Sequence, residues 1–286
     1  MIQFEQTQTI DQLSVLEYMY SKHIVSPANL IASLQKDGKF VSDGLAIEDI
    51  LPYDQDHFGG LKATETCLEL LNFVEPCRVL DIGSGLGGPA RYISYKTGCS
   101  VTGVEIQSDR YSLSKLLTKS IGLEKKVSFI QGDFVSVDFQ QTFSHVISFL
   151  AILHIIDKEL ALEKLANTLQ SNGKIYLEDY YRKAPSSVEC DQALLETISC
   201  PSLFDLDHYL AVLHDKKIQV EHVIDMTEAW KRLVVERVEN YNQNHSAMSS
   251  EFGEEAAANA LSFAEGVSRL FQKEIIGGVR ITGSKR

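Results

Sequence analysis

Hydrophobic residues along the chain follow two spacings, which alternate between residues 61 and 183. Short apolar runs bounded by glycine or polar residues predict buried strands, and apolar residues at every third or fourth position predict helices. The predicted strands are Arg78–Ile82, Ser100–Glu105, Val127–Gln131, Phe143–Phe149, 174–178, 218–224 and 277–282. The predicted helices are 11–20, a stretch that opens at Ser26-Pro27, 61–73, 89–95, 110–120, 158–169, 227–244 and 254–273.

This alternation of strand and helix predicts the fold class and a division of the chain. We expect an α/β, Rossmann-like, mostly parallel seven-stranded sheet with helices on both faces and a helical cap. Residues 1–60 are predicted to form an N-terminal helical cap segment, and residues 61–183 the core with the ligand site. Residues 184–217 are predicted to be an inserted helical segment, and residues 218–286 to complete the sheet and the cap.

Composition and charge exclude several classes of protein. Hydrophobic residues make up 44% and charged residues 23% of the chain, which is typical of a globular protein. The formal net charge of −12 leaves no basic field for a phosphate backbone, so we expect no nucleic-acid partner. We also expect no membrane association, because the most apolar stretch, 143–156, is too short and polar to span a bilayer.

The five cysteines, together with the N-terminus, indicate a compartment. They are odd in number, scattered and free of any C-x-x-C pair: Cys67, Cys77, Cys99, Cys190 and Cys200. The N-terminus shows no positively charged region followed by an apolar stretch, so no secretory signal is visible. We therefore expect reduced thiols, no metal site and a cytoplasmic protein.

A glycine-rich loop follows the first predicted strand, with the sequence Asp81-Ile82-Gly83-Ser84-Gly85-Leu86-Gly87-Gly88. Glycine removes side chains, so the backbone can approach a ligand and offer it amide donors. Glu105 ends the second strand, 20 residues after Gly85, where a carboxylate can accept both hydroxyls of a ribose. The loop and this carboxylate together predict a nucleoside site in which the backbone of Gly83 and Gly85 contacts the ligand.

A second carboxylate supports the nucleoside prediction. Asp133 ends the third strand and can accept a hydrogen bond from an adenine amino group. Phe134 and Ile106 are expected to be apolar neighbours of the adenine ring. Either carboxylate alone could be an ordinary polar strand end, but the set favours a nucleoside.

The acidic residue before the glycines distinguishes between nucleoside ligands. A dinucleotide would place its pyrophosphate where Asp81 lies, and an anion beside that carboxylate is disfavoured. A positively charged amino group is favoured there, which indicates S-adenosylmethionine as the cofactor. A nicotinamide dehydrogenase remains an alternative.

These motifs, Asp81-x-Gly83-x-Gly85, Glu105 and Gly132-Asp133-Phe134, make the sequence resemble the class I S-adenosylmethionine-dependent methyltransferases. Within them it resembles the small-molecule branch that contains phosphoethanolamine and sarcosine/dimethylglycine N-methyltransferases. The resemblance runs from about residue 56 to 180. Its further landmarks are Asp56-His57-Phe58-Gly59-Gly60, Ala151-Ile152-Leu153-His154 and Glu178-Asp179-Tyr180.

The resemblance implies roles for three further residues. The segment that matches His57 closes over the methionine end of the cofactor, so His57 is expected to be a cofactor contact. His154 matches a catalytic histidine, and Tyr180 matches a substrate contact. Histidine suits the reaction, because an amine must lose a proton before its lone pair can accept a methyl group. The alternative for His154 is a structural histidine whose ring is satisfied by backbone.

Departures from the family pattern bear on the acceptor. The resemblance places Leu150 where an aspartate steers the amine, and Phe40 where a tyrosine pairs with the histidine. The arginine and tyrosine that grip phosphate match positions near Ser199 and Pro201. These losses argue against phosphoethanolamine itself and predict a more apolar pocket.

We therefore predict methyl transfer from S-adenosylmethionine to a small-molecule acceptor, with an amine nitrogen as the first choice. The alternatives are O- or C-methylation of an apolar metabolite, and an inactive cofactor-binding module. The expected quaternary structure is a monomer or a homodimer.

Overall fold

A seven-stranded sheet forms the centre of the protein. The computed structural model describes Leu16, Tyr20 and residues 25–286. The strands are β1 Arg78–Ile82, β2 Ser100–Glu105, β3 Val127–Gln131, β4 Phe143–Phe149, β5 Leu169–Arg182, β6 Ile218–Asp225 and β7 Ile276–Lys285. Their order is β3-β2-β1-β4-β5-β7-β6. Neighbours from β3 to β5 pair in parallel, whereas β7 is antiparallel to both β5 and β6. This confirms the predicted Rossmann-like α/β sheet.

Helices connect the strands and extend beyond the sheet. They are α1 Pro27–Lys36, α2 Ile47–Ile50, α3 Leu61–Leu71, α4 Gly88–Thr97, α5 Ser108–Ser120, α6 Lys158–Thr168, α7 Val188–Ile198, α8 Leu206–Asp215, α9 Thr227–Gln243, α10 His245–Phe252 and α11 Glu254–Gln272. The helix predicted over 11–20 lies outside the described residues, apart from Leu16 and Tyr20. Helix α10 was not predicted.

The core lies on both faces of the sheet, because β1 is covered on each side. Leu80 is fully buried among residues that include Leu162 of α6 and Leu213 of α8. Val79, the neighbouring residue in β1, is also fully buried and packs with Ile93 of α4. Each such side chain contributes roughly 1.5–3 kcal/mol by leaving water. The continuous apolar character of β1 follows from this double coverage.

A separate group of aromatic side chains packs around the carboxyl-terminal half of β5. Phe58, Tyr180, Trp230 and Phe271 form this aromatic cluster, with ring centroids of neighbouring pairs 5.1–6.1 Å apart. A Cβ built on Gly278 of β7 would overlap the Trp230 ring, so glycine allows α9 to pack closely on the sheet. The cluster joins the C-terminal helices to the core.

The structure joins Cys77 and Cys99 by a disulfide. These residues precede β1 and β2, whose first residues, Arg78 and Ser100, are paired in the sheet. The prediction that all five cysteines are reduced is therefore wrong for this pair, because strand pairing brings together residues 22 positions apart. In the described part of the chain, no helix is long and apolar enough to cross a membrane.

Candidate active site

One cavity opens at the carboxyl ends of β1, β2, β3 and β4. Its empty volume is about 880 Å³, including the open mouth. Every residue predicted to contact the cofactor lines it, together with the predicted catalytic histidine. These residues are Asp81, Gly83, Gly85, Glu105, Ile106, Asp133, Phe134, His57 and His154. The topology therefore brings together side chains that are scattered along the sequence, because parallel strands end at the same edge of the sheet.

The glycine loop needs glycine for two reasons. Gly83 and Gly85 have φ values of 67° and 53°, in the left-handed region that other residues adopt only under strain. A Cβ built on Gly83 would also overlap the Cβ of Ala151, which follows β4. The loop backbone is thus held close to the loop that carries His154.

Backbone amides on two sides hold Glu105. Its Oε2 accepts a hydrogen bond from the Gly85 N–H at 2.8 Å, and its Oε1 accepts one from the Gln107 N–H at 2.9 Å. Burial raises the pKa of Glu105, and the amide donors partly oppose that rise. Carboxylate oxygens each have a second lone pair, so Glu105 can still accept hydrogen bonds from a ligand in the cavity.

Asp81 is a buried carboxylate that lacks part of its hydrogen bonding. The residue is 1% exposed, and its Oδ2 has no hydrogen-bond partner among the described residues. Burial and the nearby Glu105 raise the pKa of Asp81 to about 7. An unsatisfied buried oxygen is costly, and a cationic group in the cavity would remove that cost. The cavity therefore fits a ligand whose ammonium group meets Asp81.

Asp133 and Phe134 form the opposite wall, at the end of β3. The Asp133 Oδ1 accepts a hydrogen bond from the Val135 N–H at 3.0 Å, which fixes the orientation of the carboxylate. Phe134 is 5% exposed and packs into the main core. This wall therefore combines one oriented acceptor with an apolar surface, as an adenine ring requires.

His57 lies on a segment that two ion pairs fasten to α4 and to α5. Asp54 pairs with the fully buried Arg91 at 2.9 Å, and Asp56 pairs with Arg110 at 3.0 Å. The His57 ring packs on Phe149 with 4.5 Å between ring centroids. Burial lowers the pKa of His57 to about 4, so the ring is neutral at pH 7.

A second pocket of about 510 Å³ continues from the cavity under the aromatic cluster. It shares Tyr20, Asp56, His57, Leu150 and His154 with the cavity. Beyond these, its walls are aromatic or aliphatic apart from one cation: Phe58, Leu153, Tyr180, Ile198, Phe263 and Arg237. Tyr180, the predicted substrate contact, lies in this second pocket.

His154 lies where the cavity and the second pocket meet. Its Nδ1 is 3.3 Å from the Ser199 carbonyl oxygen. A carbonyl can only accept, so Nδ1 carries a proton in this hydrogen bond. The backbone thus satisfies one ring nitrogen, as the structural alternative required, but the ring still lines both spaces.

The residue beside His154 differs from the one that the resemblance indicated. Phe40 is 47% exposed and lines neither the cavity nor the second pocket. Tyr20 occupies the site instead: its ring centroid is 6.3 Å from that of His154, and the Arg110 guanidinium lies 4.0 Å from its centroid. The match at Phe40 is therefore wrong, and the chain places the ring of a different tyrosine, Tyr20, beside the histidine.

Sequence reasoning missed two residues of the site, Tyr20 and Arg237. Arg237 lies on α9, and its guanidinium is 5.5 Å from the Phe58 ring centroid. No local motif distinguishes either residue from other residues on its helix or segment, so only packing of the caps could reveal them. Within the described residues, no three His, Cys, Asp or Glu side chains are grouped to hold a metal ion.

Comparisons with known proteins agree with this geometry. Residues 80–177 match the family model described as a methyltransferase domain. Phosphoethanolamine N-methyltransferase 3 of Arabidopsis thaliana is 26% identical over 198 residues, which cover 69% of this chain and 40% of that protein. The sterol 24-C-methyltransferase of Saccharomyces cerevisiae is 34% identical over 96 residues, which cover 33% of this chain and 25% of that protein.

A solved structure extends the similarity to the fold of nearly the whole chain. Phosphoethanolamine N-methyltransferase 2 of Haemonchus contortus, in complex with phosphomonomethylethanolamine and S-adenosylhomocysteine, superposes with a TM-score of 0.78 at 18% identity. The match covers 99% of this chain and 61% of that chain. This chain thus spans less than two thirds of the length of these three relatives. Because the matched segment runs from β1 into β5 at the centre of a sheet with the strand order of this fold, the chain carries a class I S-adenosylmethionine-dependent methyltransferase domain.

Proposed function

We propose that the protein transfers a methyl group from S-adenosylmethionine to a small-molecule acceptor, with an amine nitrogen as the acceptor atom. The observation that carries this proposal is the position of His154, which lines both the cavity and the second pocket. When bound, the cofactor supplies an electrophilic methyl group on its sulfonium. The protein must hold the nucleophile about 3 Å from that methyl carbon, in line with the bond that breaks.

In this proposal, different residues of the cavity bind different parts of the cofactor. Asp81 pairs with the ammonium group, and Glu105 accepts hydrogen bonds from the ribose hydroxyls. Asp133 accepts from the adenine amino group. The remaining contacts are apolar or backbone contacts, made by Gly83, Gly85, Ile106, Phe134 and His57. The orphan oxygen of Asp81 and the oriented carboxylate of Glu105 support this assignment.

His154 acts on the acceptor. With its proton on Nδ1, the ring offers the Nε2 lone pair, which orients the amine or takes its proton as the nitrogen–carbon bond forms. Tyr20 lies beside the ring, and burial raises the pKa of its hydroxyl above its ordinary value. Tyr180 forms part of the acceptor wall, and burial raises its pKa as well.

Arg237 bears on the class of acceptor. It is the single Lys or Arg among the described residues that line the second pocket, and no ion pair to it occurs in the described part of the chain. A cation over an aromatic wall favours an acceptor that carries an acid group as well as an amine. Replacement of Arg237 by Met should therefore raise KM for the acceptor at least tenfold and leave cofactor affinity unchanged.

The second candidate function is O- or C-methylation of an apolar metabolite. It is favoured by the aliphatic walls at Leu150, Leu153 and Ile198, and by the similarity to a sterol 24-C-methyltransferase. Under this alternative the Arg237→Met variant would leave KM unchanged or lower it. The same variant therefore separates the two candidates.

The deciding experiment is incubation of the protein with methyl-labelled S-adenosylmethionine and a metabolite extract, followed by identification of the labelled product. His154→Ala should bind S-adenosylhomocysteine normally by calorimetry and lose turnover by about 10²- to 10⁴-fold. His222→Ala, at an exposed position in β6, is the matched control and should change neither quantity. Undiminished turnover in His154→Ala would remove the histidine from the mechanism, and no cofactor binding would remove the proposed function itself.

A further inference from the structure

Two buried ionisable residues, Lys158 and Asp179, line neither the cavity nor the second pocket. Lys158 begins α6 and Asp179 lies near the end of β5, and each is 2% exposed. Burial of a charge is costly, and an apolar pair at such positions is often equally stable. Their polar contacts to the backbone, which an apolar pair could not make, indicate a role for them.

Both side chains face the backbone next to His154. The Lys158 Nζ donates to the carbonyl of Ile155, the residue after His154, at 2.8 Å. The Asp179 carboxylate interacts with the N–H of Leu153, the residue before His154. The Ser199 carbonyl accepts from the ring itself. Hydrogen bonds therefore restrain the backbone after His154 and the ring at Nδ1, and the Asp179 carboxylate faces the backbone before it.

Asp179 also links the loop of His154 to the acceptor wall. Its Oδ1 accepts a hydrogen bond from the Tyr180 N–H at 2.9 Å, and its Oδ2 accepts one from the Tyr209 hydroxyl at 3.5 Å. One carboxylate thus connects the residue before the histidine with the tyrosine that lines the second pocket. Burial raises the pKa of Asp179 to about 7, and the charge of Lys158 opposes that rise.

We propose that Lys158 and Asp179 are positioning residues, which hold the His154 ring with Nδ1 toward Ser199 and Nε2 toward the acceptor. This inference rests on the proposed role of His154 and adds the residues that fix its orientation. A displaced ring would bind the same cofactor but meet the acceptor in the wrong geometry. Loss of either side chain should therefore lower kcat with little change in cofactor affinity.

The test follows the ring directly, so it does not depend on knowing the acceptor. The full chain is labelled with ¹⁵N-histidine, and the signal of His154 is assigned by its absence in His154→Ala. In the unsubstituted protein we expect the Nδ1–H tautomer. In Lys158→Met and Asp179→Asn we expect a mixture of tautomers and faster backbone amide exchange at 152–155, with the Kd for S-adenosylhomocysteine unchanged within twofold.

Turnover gives a second readout. Each variant should lose between about 10- and 100-fold in kcat, with KM changed much less. In the His154→Ala background the same substitutions should cost nothing more, because they act through the histidine. The matched controls are Lys216→Met and Asp191→Asn, which break ion pairs with Glu163 and Arg182, away from the loop. Both controls should leave the His154 signal unchanged.

The outcomes separate this inference from the proposed function. An unchanged tautomer and unchanged exchange in both folded variants would overturn the positioning role, whatever the turnover. If one variant fails to fold, the other decides, and if both fail, the pair is structural and the inference is wrong. If the ring moves as expected but His154→Ala still turns over, the proposed function of His154 fails while the positioning contacts stand.

Discussion

Asp81 is the carboxylate that we propose to pair with the ammonium group of the cofactor. Its carboxylate is buried, lies near Glu105, and has one oxygen without a hydrogen-bond partner among the described residues. Burial and Glu105 raise its pKa to about 7, so without a ligand it keeps its proton where an ordinary aspartate has lost it. Between about pH 4 and 7 the folded state then holds a proton that the unfolded chain has released. This contribution makes the empty protein less stable as pH rises through that range.

Cofactor binding should show the opposite dependence on pH. A cationic ammonium pairs with the charged form of Asp81, so affinity for S-adenosylhomocysteine should rise by up to about tenfold per pH unit below pH 7 and level off above it. His57, with its pKa lowered to about 4, stays neutral over most of this range. Calorimetry between pH 5.5 and 8.5 would measure the profile. Asp81→Asn should bind more weakly and flatten it, and a flat profile in the unsubstituted protein would contradict the assignment.

Gly83 gives a second prediction for a single residue. Replacement by Ala adds a Cβ that overlaps Ala151 and forces a side chain into the left-handed region. Gly122→Ala is the matched control, since Gly122 has a similar φ of 72° and no atom near the added Cβ. We expect Gly122→Ala to lower the free energy of unfolding by about 1 kcal/mol without changing cofactor affinity. Gly83→Ala should cost more and weaken binding of S-adenosylhomocysteine, and equal effects on binding would refute the role of this contact.

Among the elements, the segment between α2 and α3 depends most on its ion pairs. Asp54 and Asp56 flank Gln55 and precede His57, and they are held by Arg91 of α4 and Arg110 of α5. Arg91 also donates to the carbonyl of Leu86 in the glycine loop at 2.6 Å. One guanidinium therefore fastens the segment and the loop to each other, which places His57 over the cavity.

Removal of this pair should be far more costly than removal of an exposed one. Asp54→Asn leaves the Arg91 guanidinium buried without its counter-charge, and we expect a loss of about 3–5 kcal/mol in the free energy of unfolding. Glu75→Gln is the control, because its pair with Lys126 is about half exposed and should contribute less than about 1 kcal/mol. Urea denaturation would measure both. A comparable loss in the two variants would show that the buried pair does not anchor the segment.

For the whole molecule, the central feature is a cofactor cavity in the sheet that continues into a second pocket beneath the aromatic cluster. The cavity is built at the ends of four strands, whereas the second pocket takes Ile198 from α7, Arg237 from α9 and Phe263 from α11. We therefore expect cofactor binding to depend mainly on the strand ends, and acceptor choice to depend also on the added helices.

Ligand-induced stabilisation tests the cofactor class on the intact protein. S-adenosylhomocysteine at 100 times its Kd should stabilise the fold by about 2.7 kcal/mol, which raises the melting temperature by several degrees for a chain of this size. NAD at the same concentration should cause no shift, because its pyrophosphate would lie against Asp81. A shift with NAD alone would favour the dehydrogenase alternative.

The sequence by itself determined the sheet, because strand and helix spacing are local properties and the chain alternates them clearly from β1 to β5. It also predicted residues that line the cavity, since Asp81, the glycines and Glu105 occur at strand ends that parallel pairing brings to one edge. Only the tertiary structure decided the rest of the site. Tyr20 beside His154, Arg237 in the second pocket and the disulfide of Cys77 join positions whose proximity depends on how caps and strands pack. No periodicity within one element encodes a contact of that kind.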